Sequence, residues 1–337
     1  MLPLILGLSG PDLTNDERAF LREAAPAGFI LFGRNVADPA QLRALTDELR
    51  SLTGRDDLPI LIDQEGGRVA RLQPPHWPAF PAQAQFGELY AHAPISGLEA
   101  ARANAAAIGA VLAATGINVT CLPLLDLQHE GAHSIIGDRA FGGEPMAVAS
   151  LGRAVLDGLA EAGVAGVIKH LPGQGLAASD SHAELPIVDA DIAALAEEIS
   201  PFQRLAPRAR IGMTAHVVYP AWDPDRPATL SPTVIGEVIR GAIGFDGLLL
   251  TDDIGMGALS GPLADRGRAA LAAGCDLVLH CSGVLPEAEE LAAALPPIGG
   301  AAAVRMAHIF DGAVAETPPL EPLLAKRDAL LGLVQTA

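Results

Sequence analysis

Eight short apolar runs, at residues 4–8, 28–32, 59–62, 119–125, 165–168, 211–214, 247–250 and 277–279, punctuate a chain of 337 residues. Between nearly all of them lie longer Ala- and Leu-rich segments with helical periodicity. A helix between two strands carries the chain back along the sheet, so the strands it joins run parallel. Eight such units in about 300 residues fit an α/β fold, a single-domain (β/α)8 TIM barrel; a doubly wound sheet shares the same rhythm. No Pro/Ser linker or low-complexity stretch divides the chain, so residues 1–337 read as one barrel domain. Thr317-Pro318-Pro319 separates a last helix from a C-terminal tail, 317–337.

A barrel builds its active site at the C-terminal ends of its strands. Six of the runs deliver an ionisable group there: Asp63 after Pro-Ile-Leu-Ile, Asp126 after Leu-Pro-Leu-Leu, and Lys169-His170 after Ala-Gly-Val-Ile. His216 follows Met-Thr-Ala, Asp252 follows Leu-Leu-Leu-Thr, and His280 ends Leu-Val-Leu. One polar residue after a strand is ordinary loop chemistry, whereas six together predict a polar pocket of converging strand ends. The segment Lys169-His170-Leu171-Pro172-Gly173-Gln174-Gly175 is a loop by its glycines and proline, and it leads to Asp180-Ser181-His182. On an extended segment Asp180 and His182 point the same way, so the carboxylate can orient the imidazole and stabilise its protonated form, an acid/base pair. A solvated Asp and His on a loop would look the same.

Composition narrows the partners. Half the residues are hydrophobic and 18% charged, which excludes disorder. The formal charge of −18 disfavours nucleic acid and anionic membrane, and no run of Lys and Arg exceeds two. Cys121, Cys275 and Cys281 have no C-x-x-C spacing, so neither a disulfide framework nor a zinc knuckle is expected. The apolar start, Met-Leu-Pro-Leu-Ile-Leu-Gly-Leu, reads as a strand rather than a signal, and no stretch is long enough to span a bilayer. The expectation is a cytoplasmic monomer acting on a small molecule.

The motifs resemble those of the bacterial β-N-acetylhexosaminidases of glycoside hydrolase family 3, the single-domain enzymes of peptidoglycan recycling. The resemblance runs from Gly28-Phe29-Ile30-Leu31-Phe32-Gly33-Arg34-Asn35 through Ile62-Asp63-Gln64-Glu65-Gly66-Gly67-Arg68-Val69-Ala70-Arg71 and Ile136-Gly137-Asp138-Arg139-Ala140-Phe141-Gly142. It continues through the 169–182 loop, Met213-Thr214-Ala215-His216-Val217, Pro227-Ala228-Thr229-Leu230-Ser231 and Gly244-Phe245-Asp246-Gly247 to Thr251-Asp252-Asp253-Ile254-Gly255-Met256. It implies Asp252 as nucleophile and His182 as general acid/base with Asp180 as its partner. It also implies that Asp63, Arg71, Arg139, Lys169 and His170 hold the hydroxyls of N-acetylglucosamine (GlcNAc). A carboxylate among Lys and Arg forks suits hydroxyls, which both donate and accept. Asp253 is expected to cap a helix starting near Ile254, although a swap of roles with Asp252 stays open.

The implied reaction is retaining double displacement on a GlcNAc-1,6-anhydroMurNAc muropeptide, without metal or cofactor. Phosphate in place of water as acceptor, and a sugar-binding protein that has lost catalysis, are the alternatives. A metal-dependent hydrolase could draw on Lys169, His216, His280 and Asp252, but the first strand ends Gly7-Leu8-Ser9-Gly10, without a ligand. One departure stands out: Gln174 occupies the place between the loop glycines where the resembled motif usually carries His or Leu. His76, His92 and His308 read as surface or structural. His129 and His133 are candidates for the leaving-group side, and His216 for a subsite or a structural role.

Overall fold

The computed structural model describes residues 1–131, 133–312 and 317–335. Its strands are β1 (Leu2–Gly7), β2 (Pro26–Leu31), β3 (Ile60–Ile62), β4 (Val119–Thr120), β5 (Ala165–Leu171), β6 (Ile211–Thr214), β7 (Leu248–Asp253) and β8 (Leu277–His280). They close into a barrel in the order β1-β8-β7-β6-β5-β4-β3-β2, every neighbouring pair parallel. The eight-stranded barrel expected from the pattern is the fold. Ile5, Ile30, Leu61, Val119, Val167 and Leu250 point inward and pack on one another. Their neighbours Leu4, Phe29, Ile60, Ile62, Ile168 and Leu249 point out against the helices. Both faces are therefore buried, which is why these strands read as continuous apolar runs rather than alternating ones.

The helices are α1 (Asn15–Ala24), α2 (Pro39–Thr53), α3 (Gln83–His92), α4 (Pro94–Ala114), α5 (Pro145–Glu161), α6 (Ile192–Leu205), α7 (Leu263–Ala273), α8 (Leu285–Ala294), α9 (Gly300–Ala307) and α10 (Leu320–Gln335). A wider helix, Val234–Ala242, makes the crossover from β6 to β7. Their starts are written in the sequence. Thr14 and Glu17 form a reciprocal capping box on α1, and Asp38 caps α2 ahead of Pro39 at its first position. Met306 and Ile309, at and just after the end of α9, join the inner cluster and close the barrel interior away from the catalytic ends. Among the described residues no helix is long and apolar enough to cross a membrane.

Two sequence expectations are corrected. The run 119–125 is not one strand: regular pairing stops at Thr120, because Pro123 has no N–H to give the ladder, and a single bridge from Leu124 to Lys169 resumes it. The segment read as a tail is α10, whose leucines pack on the core and whose Arg327 is nearly buried. Arg327 donates to Asn104 Oδ1 at 3.3 Å and lies 5.7 Å from the centre of the Phe80 ring. Pro318 and Pro319 come directly before the start of α10 at Leu320.

Candidate active site

A cavity of about 330 Å³ opens at the C-terminal end of the barrel, within the range of sites that hold small ligands. On its floor lies an ion cluster. Lys169 Nζ is 2.5 Å from Glu65 Oε1 and 3.6 Å from Asp63 Oδ1, and Arg139 grips Glu65 with two N–H groups at 2.8 and 2.9 Å. Arg71 Nη2 donates to Asp63 at 3.0 Å, while its buried Nε finds no acceptor among the described residues. Three cations thus surround two carboxylates. Burial alone would raise the carboxyl of Glu65, but Lys169 and Arg139 outweigh it and hold it well below the usual range. Burial would likewise lower Lys169, but Glu65 and Asp63 prevail and it is pushed up to about 12.

Local geometry delivers these groups. Glu65 sits in a small hairpin, Gln64–Gly66 against Val69–Ala70, directly after β3. The buried Gln64 side chain accepts from the N–H groups of Arg71 and Leu72 and donates to the Leu72 carbonyl, so the returning strand brings Arg71 back to Asp63. Gly66, at φ 99°, has no room for a Cβ, which would lie 2.2 Å from the Pro81 carbonyl oxygen. Arg68, at the cavity rim, holds the loop carrying Arg139 by donating to Asp138 Oδ1 and the Ile135 carbonyl at 2.9 and 2.6 Å.

His170 is oriented from behind. Asp126, fully buried, accepts from His170 Nδ1 at 2.7 Å and from the Gln174 N–H at 2.9 Å. The other ring nitrogen then faces the cavity, 4.0 Å from Asp252 Oδ2. Asp252 and Asp253 have different fates. Asp253 Oδ1 accepts from the N–H groups of Gly255 and Cys281 at 2.9 and 3.1 Å. No helix starts at Ile254: a turn follows, and α7 begins only at Leu263, so Asp253 shapes a turn rather than capping a helix. Among the described residues Asp252 takes only the N–H of Asp253, at 2.8 Å, and leaves an oxygen toward the cavity without a cation bonded to it. His216 underpins the pair, with Nε2 on the Asp253 carbonyl at 3.0 Å and Nδ1 on Thr229 Oγ1 at 2.7 Å. Burial holds its imidazole below its ordinary value against the pull of Asp252, so it is a neutral prop.

The loop after β5 brings His182 to the cavity wall with a 64% exposed side chain. Asp180 Oδ1 accepts from both His182 Nδ1 (2.8 Å) and the His182 N–H (2.9 Å), which leaves Nε2 as the free nitrogen. The loop docks on the segment after β7, where Gly257 and Ala258 donate to the carbonyls of His182 and Ser181. An unpaired carboxylate at one strand end and a carboxylate-backed imidazole on another loop, above a grip of alternating charges, can hold a polyol and perform nucleophilic attack with proton transfer.

The comparisons agree with that geometry. The Glycosyl hydrolase family 3 N terminal domain matches residues 6–312. This chain belongs to glycosyl hydrolase family 3. It is a glycoside hydrolase by the company it keeps. A beta-hexosaminidase from Alkalilimnicola ehrlichii is 43% identical over 284 residues, 83% of this chain and 80% of its own length. Another, from Aromatoleum aromaticum, is 36% identical over 341 residues, 99% of this chain and 95% of its own. The solved structure of NagZ from Neisseria gonorrhoeae in complex with N-trifluoroacetyl-D-glucosamine superposes with a TM-score of 0.87 at 31% identity, over 98% of this chain and 97% of that one.

In this family 3 hydrolase the cavity is lined by Asp63, Arg71, Arg139, Lys169, His170, His182 and Asp252, all singled out from sequence, with Asp180 directly behind His182. Of the other strand-end groups, Asp126, His216 and His280 stand behind the wall, His280 against Glu287 at 3.0 Å. His129 does not reach the cavity: its Nε2 is 2.5 Å from Glu198, a buried carboxyl that also accepts the Gly175 N–H. His133 folds back to accept the Ile135 N–H. Sequence reasoning missed Glu65 and left Asp126 without a role. Glu65 had the same signal as the Asp180–His182 pair, an ionisable residue two positions from another on an extended segment.

Proposed function

We propose that this family 3 hydrolase is a retaining β-N-acetylglucosaminidase that removes terminal β-linked GlcNAc through a covalent glycosyl-aspartate on Asp252. The observation that carries the proposal is the state of the cavity carboxylates. Asp63 and Glu65 are held by cations and Asp253 by turn amides, whereas Asp252 keeps an unbonded oxygen facing the cavity. A nucleophile must have its lone pairs free, so Asp252 attacks the anomeric carbon while His182 protonates the leaving oxygen through the nitrogen that Asp180 leaves open. Water, deprotonated by His182, then cleaves the ester. Asp63, Arg71, Lys169, Arg139 and His170 hold the sugar hydroxyls, and the free N–H of Arg71 is one donor waiting for an acceptor. A histidine in place of the usual second carboxylate carries no negative charge as base, so an anionic group can approach it.

The GlcNAc-1,6-anhydroMurNAc muropeptides of cell-wall recycling are the natural substrate on this reading, cleaved in the cytoplasm by a monomer whose whole length serves one catalytic domain. The test is nitrophenol release from an aryl N-acetyl-β-glucosaminide by wild type, Asp252→Ala and His182→Ala, each with and without phosphate. Loss of activity in the first variant and a strong fall in the second support the mechanism. A sugar 1-phosphate product would make the protein a phosphorylase, and a wild type that binds GlcNAc without turnover would make it a lapsed enzyme.

A further inference from the structure

The largest neutral polar side chain at the cavity, that of Gln174, has no assigned work. Gln174 is 6% exposed, and both of its main-chain polar groups are engaged, the N–H on Asp126 Oδ1 and the carbonyl on the Ala177 N–H. Gln174 is among the residues that line the cavity; its side-chain amide has no hydrogen-bond partner among the described residues and is not one of the fully sealed unpaired groups, so it keeps contact with open space. A primary amide with no partner in the protein keeps two donors and an acceptor available to whatever enters the cavity. The charged groups of the cavity floor are already paired with one another. Gln174 and Ser181 are neutral polar residues lining the same space, and of the two Gln174 carries an amide, which matches another amide, donor to carbonyl and carbonyl to N–H, without unbalancing the ion cluster.

Its place along the sugar follows from what holds it. The carboxylate that fixes the Gln174 main chain also fixes His170, whose free nitrogen is 4.0 Å from Asp252 Oδ2. The Gln174 main chain is therefore anchored on the same carboxylate as the imidazole that faces Asp252. In an aminosugar the 2-substituent is on the carbon beside the anomeric carbon. We propose that Gln174 is a specificity-determining residue, its side-chain amide pairing with the 2-acetamido group of the sugar bound at Asp252. This rests on the N-acetylglucosaminidase reading above and names the residue that would distinguish a 2-acetamido from a 2-hydroxy sugar.

The experiment compares kcat/KM of the full chain on 4-nitrophenyl N-acetyl-β-glucosaminide and on 4-nitrophenyl β-glucoside for wild type, Gln174→Leu and Gln174→Glu, with urea midpoints to confirm folding. Gln174→Leu removes donor and acceptor together; Gln174→Glu keeps the shape, loses the N–H and sets a carboxylate against the acetamido carbonyl. Each is expected to lower the preference for the N-acetyl substrate by about ten- to a hundredfold, the worth of one or two buried hydrogen bonds. If glucoside turnover is too slow to measure, the ratio of Ki values for GlcNAc and glucose reads the same preference. Equal falls on both substrates would make Gln174 a loop-shaping residue and overturn the proposal, as would an unchanged ratio in folded variants. A wild type inactive on the N-acetyl substrate would instead remove the N-acetylglucosaminidase reading itself, and this proposal with it.

Discussion

Glu65→Gln is the substitution that most directly tests the ion cluster, because it removes one charge and almost no volume. The carboxylate takes three hydrogen bonds from two buried cations. A glutamine keeps one acceptor oxygen but turns an NH2 toward a guanidinium or ammonium, donor against donor. Removing one partner of a buried ionic network costs about 3–5 kcal/mol, and retained shape sets the lower end, about 3 kcal/mol of unfolding free energy. If about 2–3 kcal/mol of that appears in the misplacement of Lys169 and Arg139 under the sugar, kcat/KM falls about 30- to 150-fold. Two pH signatures accompany the loss. With Glu65 gone, burial acts on Lys169 with Asp63 at 3.6 Å as its main counter-charge, so its pKa falls from about 12 and the alkaline limb of the activity profile moves to lower pH. Glu65 has a depressed pKa, so its stabilisation is present above its ordinary value of 4.5 and is lost as the pH falls toward its native value; the variant's stability declines less steeply in acid. Urea denaturation across acid pH and kcat/KM on an aryl N-acetyl-β-glucosaminide across alkaline pH measure both. A variant within about 0.5 kcal/mol of wild type, with an unmoved alkaline limb, would refute the reasoning.

Asp126→Asn removes the carboxylate that orients His170 and fixes Gln174; kcat/KM should fall about ten- to a hundredfold with folding retained, and a change under about threefold would show that His170 needs no such partner. Glu198 is raised by burial from 4.5 to about 7 against the pull of His129, so the native state binds the proton more tightly than the unfolded one. That group's relative stabilisation is full below its ordinary pKa and is lost as the pH rises through about 7, a change of about 3 kcal/mol that Glu198→Gln should flatten in urea titrations between these limits. Arg327→Ala should cost about 1–2 kcal/mol of stability through lost contacts with Asn104 and Phe80, while kcat/KM stays at the wild-type value, because no residue of α10 lines the cavity; a kinetic defect would contradict that separation.

The barrel was legible because a parallel sheet buried on both faces leaves eight uninterrupted apolar runs, and seven of them became strands within a few residues of their expected places. The exception, 119–125, failed at Pro123, a residue whose missing N–H is visible in the sequence but whose neighbours' pairing is not. The C-terminal helix was missed for a different reason. Its leucines and Arg327 face α3 and α4, elements more than 200 residues earlier in the chain, and periodicity within 16 residues says nothing about so distant a partner. The cavity-lining residues were legible through the ordered motifs, but their state was not. Which carboxylate is spent on a cation, which on a turn and which on an imidazole depends on groups arriving from other strands.

Strand parity recovers part of that state. Inward positions alternate, so an ionisable residue continuing the inward series of a regular strand enters the cavity. On β7, Leu248 and Leu250 face inward and Leu249 faces the helices, but the register slips between Leu250 and Asp253, and Asp252 and Asp253 both line the cavity. The choice between the two aspartates, open in the motif itself, is made by hydrogen bonds instead: the amides of Gly255 and Cys281 hold Asp253, and Asp252 keeps an open oxygen. Elsewhere the count takes Leu61 to Asp63 and Glu65, and Val167 to Lys169, all of which line the cavity. It sends His280, out of phase with Leu277 and Leu279, and His216, out of phase with Ile211 and Met213, behind the wall, where both are found. His170 breaks the rule by following Ile168, which faces the helices, yet lining the cavity. It does so where the β5–β6 register shifts between Ile168 and Leu171, and there the buried Asp126 takes its ring and main-chain N–H groups together. Phase selects the inward groups while the strand is regular; where the ladder slips, hydrogen bonds must hold what phase no longer does.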